Sequence, residues 1–543
     1  MKKLPLCFLF LTITAASMLQ AQMAPSIEWQ KSLGGSSDDM AYSIQQTHEG
    51  GFIAAGYSTS PNDGDVSGNH GLSDYWIVKL DAIGNIVWQK SFGGNGDDVA
   101  FSIQQTTDDG YIVAGVSPSN DGDVSGNLGD NDYWIVKLDP AGNLAWQKCL
   151  GGSASDVATS VEQTSDGGFI VAGYSLSNDE DVAGNHGQED FWIVKLDANG
   201  NIGWQKCLGG TREDKAYSVQ QCTDGGFIVT GESHSTDGDI SAHHGSFAFS
   251  DCWILKLDGS GNLVWQNSLG GSDFDYAYSV QQTADGGFII AGTTASTSGN
   301  VSGNHGGYDF WVVKLDGIGN LVWQKCLGGT SGDRAYSVQQ TSDGGFIVTG
   351  NSKSGDVQVS GFHGGSDYGD EWIVKLNSAG NLVWQKCLGG SGDELANSIE
   401  QTNDGGFIVA GMSNSNNWDV SGNHGWYDYW IVKLSSDSIS GIASIPNSLI
   451  SMYPNPVQSR LTISMTSSLD NFTTPGGEVA IRIYDLQGRL IALPITFLAE
   501  SASGGIKTQA QLNTTSLADG FYTLQIINNK TGESEVGKFV KQE

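Results

Sequence analysis

The chain has 543 residues, with 26 Lys and Arg against 60 Asp and Glu, a net charge of −34, 76 Gly, 10 Pro and 38% hydrophobic residues. A surface this acidic repels phosphate backbones and anionic lipid, so nucleic acid is excluded as a partner. Frequent Gly beside regularly spaced aromatics excludes disorder and points to short strands joined by turns.

At the N-terminus, MKKLPLCFLFLTITAASMLQAQ places two Lys before an apolar run from Leu4 to about Leu19 and ends in small and polar residues. That order predicts a secretory signal peptide over residues 1–22. No later stretch is long and apolar enough to predict a membrane-spanning helix.

Residues 23–434 repeat one pattern. A WQK Trp falls at Trp29, Trp88, Trp146, Trp204, Trp265, Trp323 and Trp384, at intervals of 58 to 61 residues. A second series, before the IVKL run, falls at Trp76, Trp134, Trp192, Trp253, Trp311, Trp372 and Trp430. A fixed period of this size marks a repeat architecture. Each period holds four β-branched and aromatic runs, such as YIVAGVS (111–117), DYWIVKLD (132–139), NLAWQKCLG (143–151) and DVATSVEQT (156–164). Gly, Asn and Asp bound these runs, so they read as strands. Seven units of four antiparallel strands predict a β-propeller, whose radial repetition leaves only short edges. The Ala and Gly of YIVAG suggest the innermost strand, and the paired Gln of AYSIQQT suggest a polar outer edge. The chain opens on a third and a fourth run and stops on a first and a second, so the last blade is expected to close from both ends, two strands from each.

The blade plan resembles the pyrroloquinoline-quinone-type propeller repeat, on stretches such as Lys137-Leu138-Asp139 through Gly142 to Trp146. The Thr-x-Asp-Gly-Gly-Phe-Ile turn is faintly similar to the Asp-box of sialidase propellers and lacks its terminal Trp. Neither resemblance implies a catalytic centre here. Four cysteines (Cys149, Cys207, Cys326 and Cys387) share one repeat position, so they stand on different blades, too far apart for disulfides. They are expected to be buried thiols, as are Cys222 and Cys252.

The long loop after the first run carries recurring acid pairs: Asp63 and Asp65, Asp121 and Asp123, Asp179 and Asp181, Asp237 and Asp239. Carboxylates at that density suit Ca²⁺, while Asp in turns also needs no metal to explain it. Ca²⁺ is thus a possible ligand and no other cofactor is expected. His70, His186, His244, His305, His363 and His424 recur in the same loop, on different blades. Trp418 and Trp426 break the period and are candidate ligand contacts. The repeats contain only Arg212 and Arg334, and no nucleophile elbow, zinc motif or phosphate loop. No catalytic residue is assigned, and the protein is expected not to be an enzyme.

After Leu434 the repeat stops. Residues 435–448 form a Ser-rich linker. In 449–543, alternating runs with tight Gly turns predict a small Ig-like β-sandwich of about seven strands. This segment closely resembles the C-terminal sorting domain of the type IX secretion system of Bacteroidetes. The markers are Tyr453, Pro454, Asn455 and Pro456, then Asp485 and Gly488, Gly520 and Tyr522, and Lys538 and Lys541 in the last strand. The resemblance implies passage through the periplasm, recognition by an outer-membrane translocon, and release or attachment at the cell surface. The expectation is therefore an all-β, monomeric, exported protein with a seven-bladed propeller that binds a glycan or protein ligand. The alternatives are an extracellular enzyme of the sialidase or polysaccharide-lyase type and a Ca²⁺-binding structural surface protein.

Overall fold

The computed structural model describes residues 24–365 and 368–436. In the C-terminal part it describes 450–453, 457, 459–465, 479–484, 490–491, 495–500, 507–517, 520–528 and 534–541. One unit spans Ala24–Asp437 and another contains Ser438–Glu543. The predicted signal peptide and nearly all of the Ser-rich linker lie outside the described residues.

The first unit is a seven-bladed propeller of four-stranded antiparallel sheets. In blade 1 the strands are Asp39–Gln46, Phe52–Ser58, Asp74–Leu80 and Ile86–Phe92, each paired with the next. Blades 2 to 6 repeat that order as far as Leu388. Blade 7 consists of Glu394–Gln401, Phe407–Ser413 and Asp428–Leu434, with Ile27–Leu33 from the N-terminus as its fourth strand.

Two sequence expectations are corrected by this order. The Gln-bearing run is the innermost strand, not the outermost: these strands touch their neighbours around the whole ring, and their Gln and Glu side chains line the axial cavity. Closure is accordingly three strands plus one, since Asp39–Gln46 belongs to blade 1.

The physical reason lies in the edge amides. An innermost strand has one unpaired edge, and its N–H groups need acceptors. Ser43 Oγ accepts the Ile103 amide of blade 2 at 3.3 Å, and the equivalent bond recurs at all seven junctions. The first Gln of the pair, Gln45, accepts the Gln105 amide at 2.7 Å, again at every junction, with Glu162 and Glu400 standing in for Gln in two blades. The second Gln reaches the opposite way, as Gln105 does to the His48 amide at 2.8 Å. Polar side chains belong at the axis because three rings of hydrogen bonds are made of them. The Gly of the Ala-Gly run is small for a different reason, being pressed by the backbone of the strand beside it in its own blade. A Cβ on Gly56 would stand 1.9 Å from the Met40 carbonyl oxygen and 2.8 Å from the Tyr429 hydroxyl.

Between blades, the IVKL-series Trp side chains are wholly buried. Each indole N–H donates to the Gln of the WQK run, from Trp76 to Gln89 at 2.8 Å through Trp430 to Gln30 at 2.9 Å. The last of these bonds ties the two ends of the ring. Tyr75 packs 4.4 Å from Trp134, ring to ring, and donates to its carbonyl oxygen at 2.9 Å.

Blade 6 departs from this packing. The place held by Tyr75, Tyr133, Phe191, Cys252, Phe310 and Tyr429 elsewhere is taken by Glu371, which is fully buried. Neither of its oxygens has a hydrogen-bond partner among the described residues. Burial, then the nearby Glu394, Asp370 and Asp419, push its carboxyl well above the usual range. Other buried acids move the same way: burial raises Asp39, Asp132, Asp214, Asp275 and Asp370 to about 6. Carboxyls with raised folded pKa values add stability that is complete below their unfolded values and fades as pH rises through the folded ones. Turn acids such as Asp166 and Asp285, drawn down to about 2 by hydrogen bonds from Thr164 and Thr283, oppose this only in stronger acid. Thermal unfolding is therefore expected at a higher temperature near about pH 5 than near about pH 8. Replacing Glu371 by Phe should stabilise the propeller by ~1–3 kcal/mol at neutral pH and flatten that pH slope. Melting curves of both proteins across this range check it, and a less stable Glu371→Phe protein would refute it.

Among the described residues, the second unit contains two four-stranded antiparallel sheets, close to the expected seven or so strands. One sheet contributes Leu461, Ile463 and Leu512, and the other Ile483, Tyr522 and Leu524, to one buried core, so the sheets pack face to face.

Candidate functional site

Long connections, such as residues 59–73 and 93–98, leave the propeller on one face, and tight turns such as 47–51 and 81–85 leave on the other. On the long-loop face the eight predicted carboxylates are spread over four blades and engaged with backbone. Asp63 accepts the Ser36 amide at 2.9 Å, Asp121 that of Asn95 at 2.8 Å, Asp179 that of Ser153 at 2.8 Å and Asp237 that of Thr211 at 2.9 Å. Asp65, Asp123 and Asp239 face the Gly34, Gly93 and Gly209 amides at 3.2–3.4 Å, and the Asp181 amide donates to the Gly151 carbonyl oxygen at 3.1 Å. These bonds fasten each long loop to the loop entering the same blade. Among the described residues no group of three or more His, Cys, Asp or Glu is placed to hold a metal ion.

The loop histidines are second members of pairs that sequence reasoning missed. His70 Nδ1 lies 2.7 Å from the buried Asp74, His186 2.6 Å from Asp190, His305 2.6 Å from Asp309 and His424 2.8 Å from Asp428. The signal was the Asp that opens each DYW run. Trp418 is 74% and Trp426 70% exposed, as contact residues need to be. Trp418 leans on blade 6, its ring 5.4 Å from that of His363, whereas the turn before Trp426 lies against Ser36. All six cysteines of the described residues are free thiols.

Around the axis the repeats stop being alike. A bulge in each innermost strand carries, in blade order, Tyr42, Phe101, Thr159, Tyr217, Tyr278, Tyr336 and Asn397. Rings meet across blades, Tyr42 with Phe101 at 5.1 Å, Tyr217 with Tyr278 at 5.0 Å and Tyr278 with Tyr336 at 5.2 Å. They ring the long-loop end of the axis, the mouth of the propeller. Toward the tight-turn side lies an axial cavity of about 240 Å³, lined by Gln45, Gln104, Gln220, Gln339, Glu162 and Glu400. Burial raises both of those glutamates to about 7.

Blades 4 to 6 give the mouth its chemistry. The Tyr217 hydroxyl donates to Glu232 at 2.5 Å, and His234 Nε2 stands 3.8 Å from the same carboxylate. Burial holds the Tyr217 phenol well above its ordinary range, and Glu232 adds to that. Lys215 sits 3.2 Å from Glu213 and 3.6 Å from Glu189. Phe274, Tyr276 and Tyr278 stack in file, with centroids 6.0 and 5.7 Å apart. Arg334 lies 4.5 Å over the Tyr308 ring, and Arg212 4.2 Å over Phe247. The arrangement offers aromatic faces, acceptors and donors around one opening, which suits a polar ligand with flat faces.

Of the sorting-motif residues, Tyr453, Gly520, Lys538 and Lys541 lie in strands of the second unit, and Tyr522 is in its core. Lys541 is buried and bridges to Val457. Pro454, Asn455, Pro456, Asp485 and Gly488 lie outside the described residues.

Comparison with known proteins agrees with the second unit's sequence. Residues 451–542 match the family of secretion system C-terminal sorting domains. The chain is 21% identical over 496 residues to the regulatory protein FlaEY of Caulobacter vibrioides, covering 82% of this chain and 51% of that protein. It is 20% identical over 388 residues to an uncharacterized WD repeat-containing protein, L264, of Acanthamoeba polyphaga mimivirus, covering 63% of this chain and 26% of that one. The chain thus spans about half or less of the curated relatives it matches. Among solved structures it is similar to the plexin A4 extracellular region, with a TM-score of 0.44, 8% identity, and coverage of 94% of this chain and 52% of that one. The protein is an all-β, seven-bladed propeller carrying a type IX sorting domain, which directs it to the cell surface or the extracellular space.

Proposed function

We propose that the propeller is a non-catalytic binding module, delivered outside the cell by its sorting domain, and that it takes an extracellular glycan at the axial mouth. The observation that carries this reading is where the repeats differ. Framework residues recur blade after blade, while Lys215, Tyr217, Glu232, His234 and Arg334 cluster at one opening beside a file of aromatic rings. Aromatic faces stack on sugar rings, and paired donors and acceptors suit sugar hydroxyls. A second reading, an enzyme acting on carbohydrate, has one observation in its favour: the hydrogen-bonded Tyr217 and Glu232 with His234 alongside.

Both readings meet in one experiment. The full chain is screened on a glycan array with Ca²⁺ and with chelator, and the bound glycan is inspected for cleavage. A second protein carries Lys215→Val, Tyr217→Thr and Glu232→Val, residues that blades 2 and 3 already hold at these places. Binding should weaken at least about tenfold in that protein, with no glycan cleaved by either. Unweakened binding would place the ligand elsewhere, and released fragments would favour the enzyme.

A further inference from the structure

Two blades put a cation at the second residue of the innermost strand: Lys215 in blade 4 and Arg334 in blade 6. Their surroundings differ at each of three flanking places. Around Lys215 stand Glu213 before the strand, Glu232 opposite it in the ladder, and Glu189 from the preceding blade. At the same three places Arg334 meets Gly332, Asn351 and Tyr308. The cation of blade 4 is therefore neutralised by the carboxylates around it. In blade 6 no carboxylate lies within ion-pair distance of Arg334 among the described residues, in a chain with 60 acids.

Asn351 gives a second, independent observation. It is 8% exposed, and its Oδ1 has no hydrogen-bond partner among the described residues. A buried acceptor without a donor is costly unless a ligand supplies one. An unneutralised guanidinium and an unsatisfied carbonyl oxygen thus face each other across one rung of the ladder, at the rim of the mouth.

We infer that Arg334 and Asn351 are the anion subsite of the mouth, and that it takes the carboxylate of an acidic sugar. This rests on the glycan reading above. The planar guanidinium holds a carboxylate in two parallel hydrogen bonds and is kept flat by the Tyr308 ring. Asn351 Oδ1 accepts a neighbouring sugar hydroxyl. The net charge of −34 repels dense polyanions, so an acidic unit spaced along neutral sugars fits better than a heavily sulfated polymer.

The test is calorimetric titration of the full chain with a uronate-containing oligosaccharide and with the same oligosaccharide after its carboxyls are reduced to alcohols. The acidic form should bind about tenfold more tightly, and added salt should narrow the difference. Arg334→Met, the residue blade 1 holds there, and Asn351→Glu, the acid blade 4 holds there, should each remove the preference. Both should lower the reduced form's affinity far less than the acidic form's, and Arg334→Met should leave the melting temperature unchanged. Equal binding of the two forms by the natural chain, or a preference that survives Arg334→Met, overturns the subsite and leaves the glycan reading standing. Binding of neither form overturns both, and tighter binding of an acidic peptide would assign the subsite to a protein ligand instead.

Discussion

Truncation after about Asp437 is expected to leave a folded propeller that never reaches the cell exterior. The propeller's cores are built from residues of the first unit alone, and the sorting domain has a separate core of its own. The Trp430–Gln30 bond and the pairing of Ile27–Leu33 with Asp428–Leu434 complete the last blade within the first unit. The truncated protein should accumulate in the periplasm with its leader removed and with the melting temperature of the full-length propeller. Fractionation and immunoblotting of cells producing each form check this. Arrival of the truncated chain at the surface or in the medium would show that residues 451–542 are not the export address.

Deleting residues 24–33 is expected to cost the propeller more stability than any single substitution considered above. That segment supplies one strand of blade 7, so its loss leaves Asp428–Leu434 as a bare edge. Trp430 loses the acceptor for its indole N–H, and Trp29 no longer covers Phe52, whose ring it meets at 5.7 Å. One ladder and the apolar area it covers come to on the order of 5 kcal/mol. The melting temperature should fall by roughly 6 °C, with earlier exposure of Trp fluorescence. Supplying residues 24–33 as a separate peptide should restore part of the loss. An unchanged melting temperature would contradict the closure seen here.

Much of this architecture is visible in the sequence because the physics repeats with it. Two Trp series at one interval require seven equivalent junctions, and four strand-like runs per interval require four-stranded blades. The direction of each blade was not legible. Small residues suggested the axis and paired Gln suggested the rim, yet Gly was answering to the backbone of the strand beside it and Gln to the amides of a neighbouring blade. Those amides belong to another repeat, so no local pattern announces them. The mouth was visible only as noise in the repeat: AYSIQQ becomes ATSVEQ in blade 3 and ANSIEQ in blade 7. Single differences of that kind gain meaning once the bulge brings seven of them to one axis. The acid pairs of the loops read as metal ligands for the converse reason. Their density is plain in the sequence, whereas the amides they accept lie in a loop roughly 26 residues earlier.

The pairing of Ile27–Leu33 with Asp428–Leu434 also fixes an order of events. The strand Ile27–Leu33 has no partner until the last blade has been made, some 400 residues later. A chain crossing a membrane N-terminus first therefore cannot lock its circle while any of the later blades is still in transit. Its opening segment has to wait, solvated and unpaired, and the ring becomes a ring in a single late step. Long-range contacts of this kind close slowly, because the entropy of a very large loop must be met before the contact rewards it. Maturation of this protein should accordingly have a late phase whose rate depends on residues 27–33 finding their edge, however quickly the individual blades form.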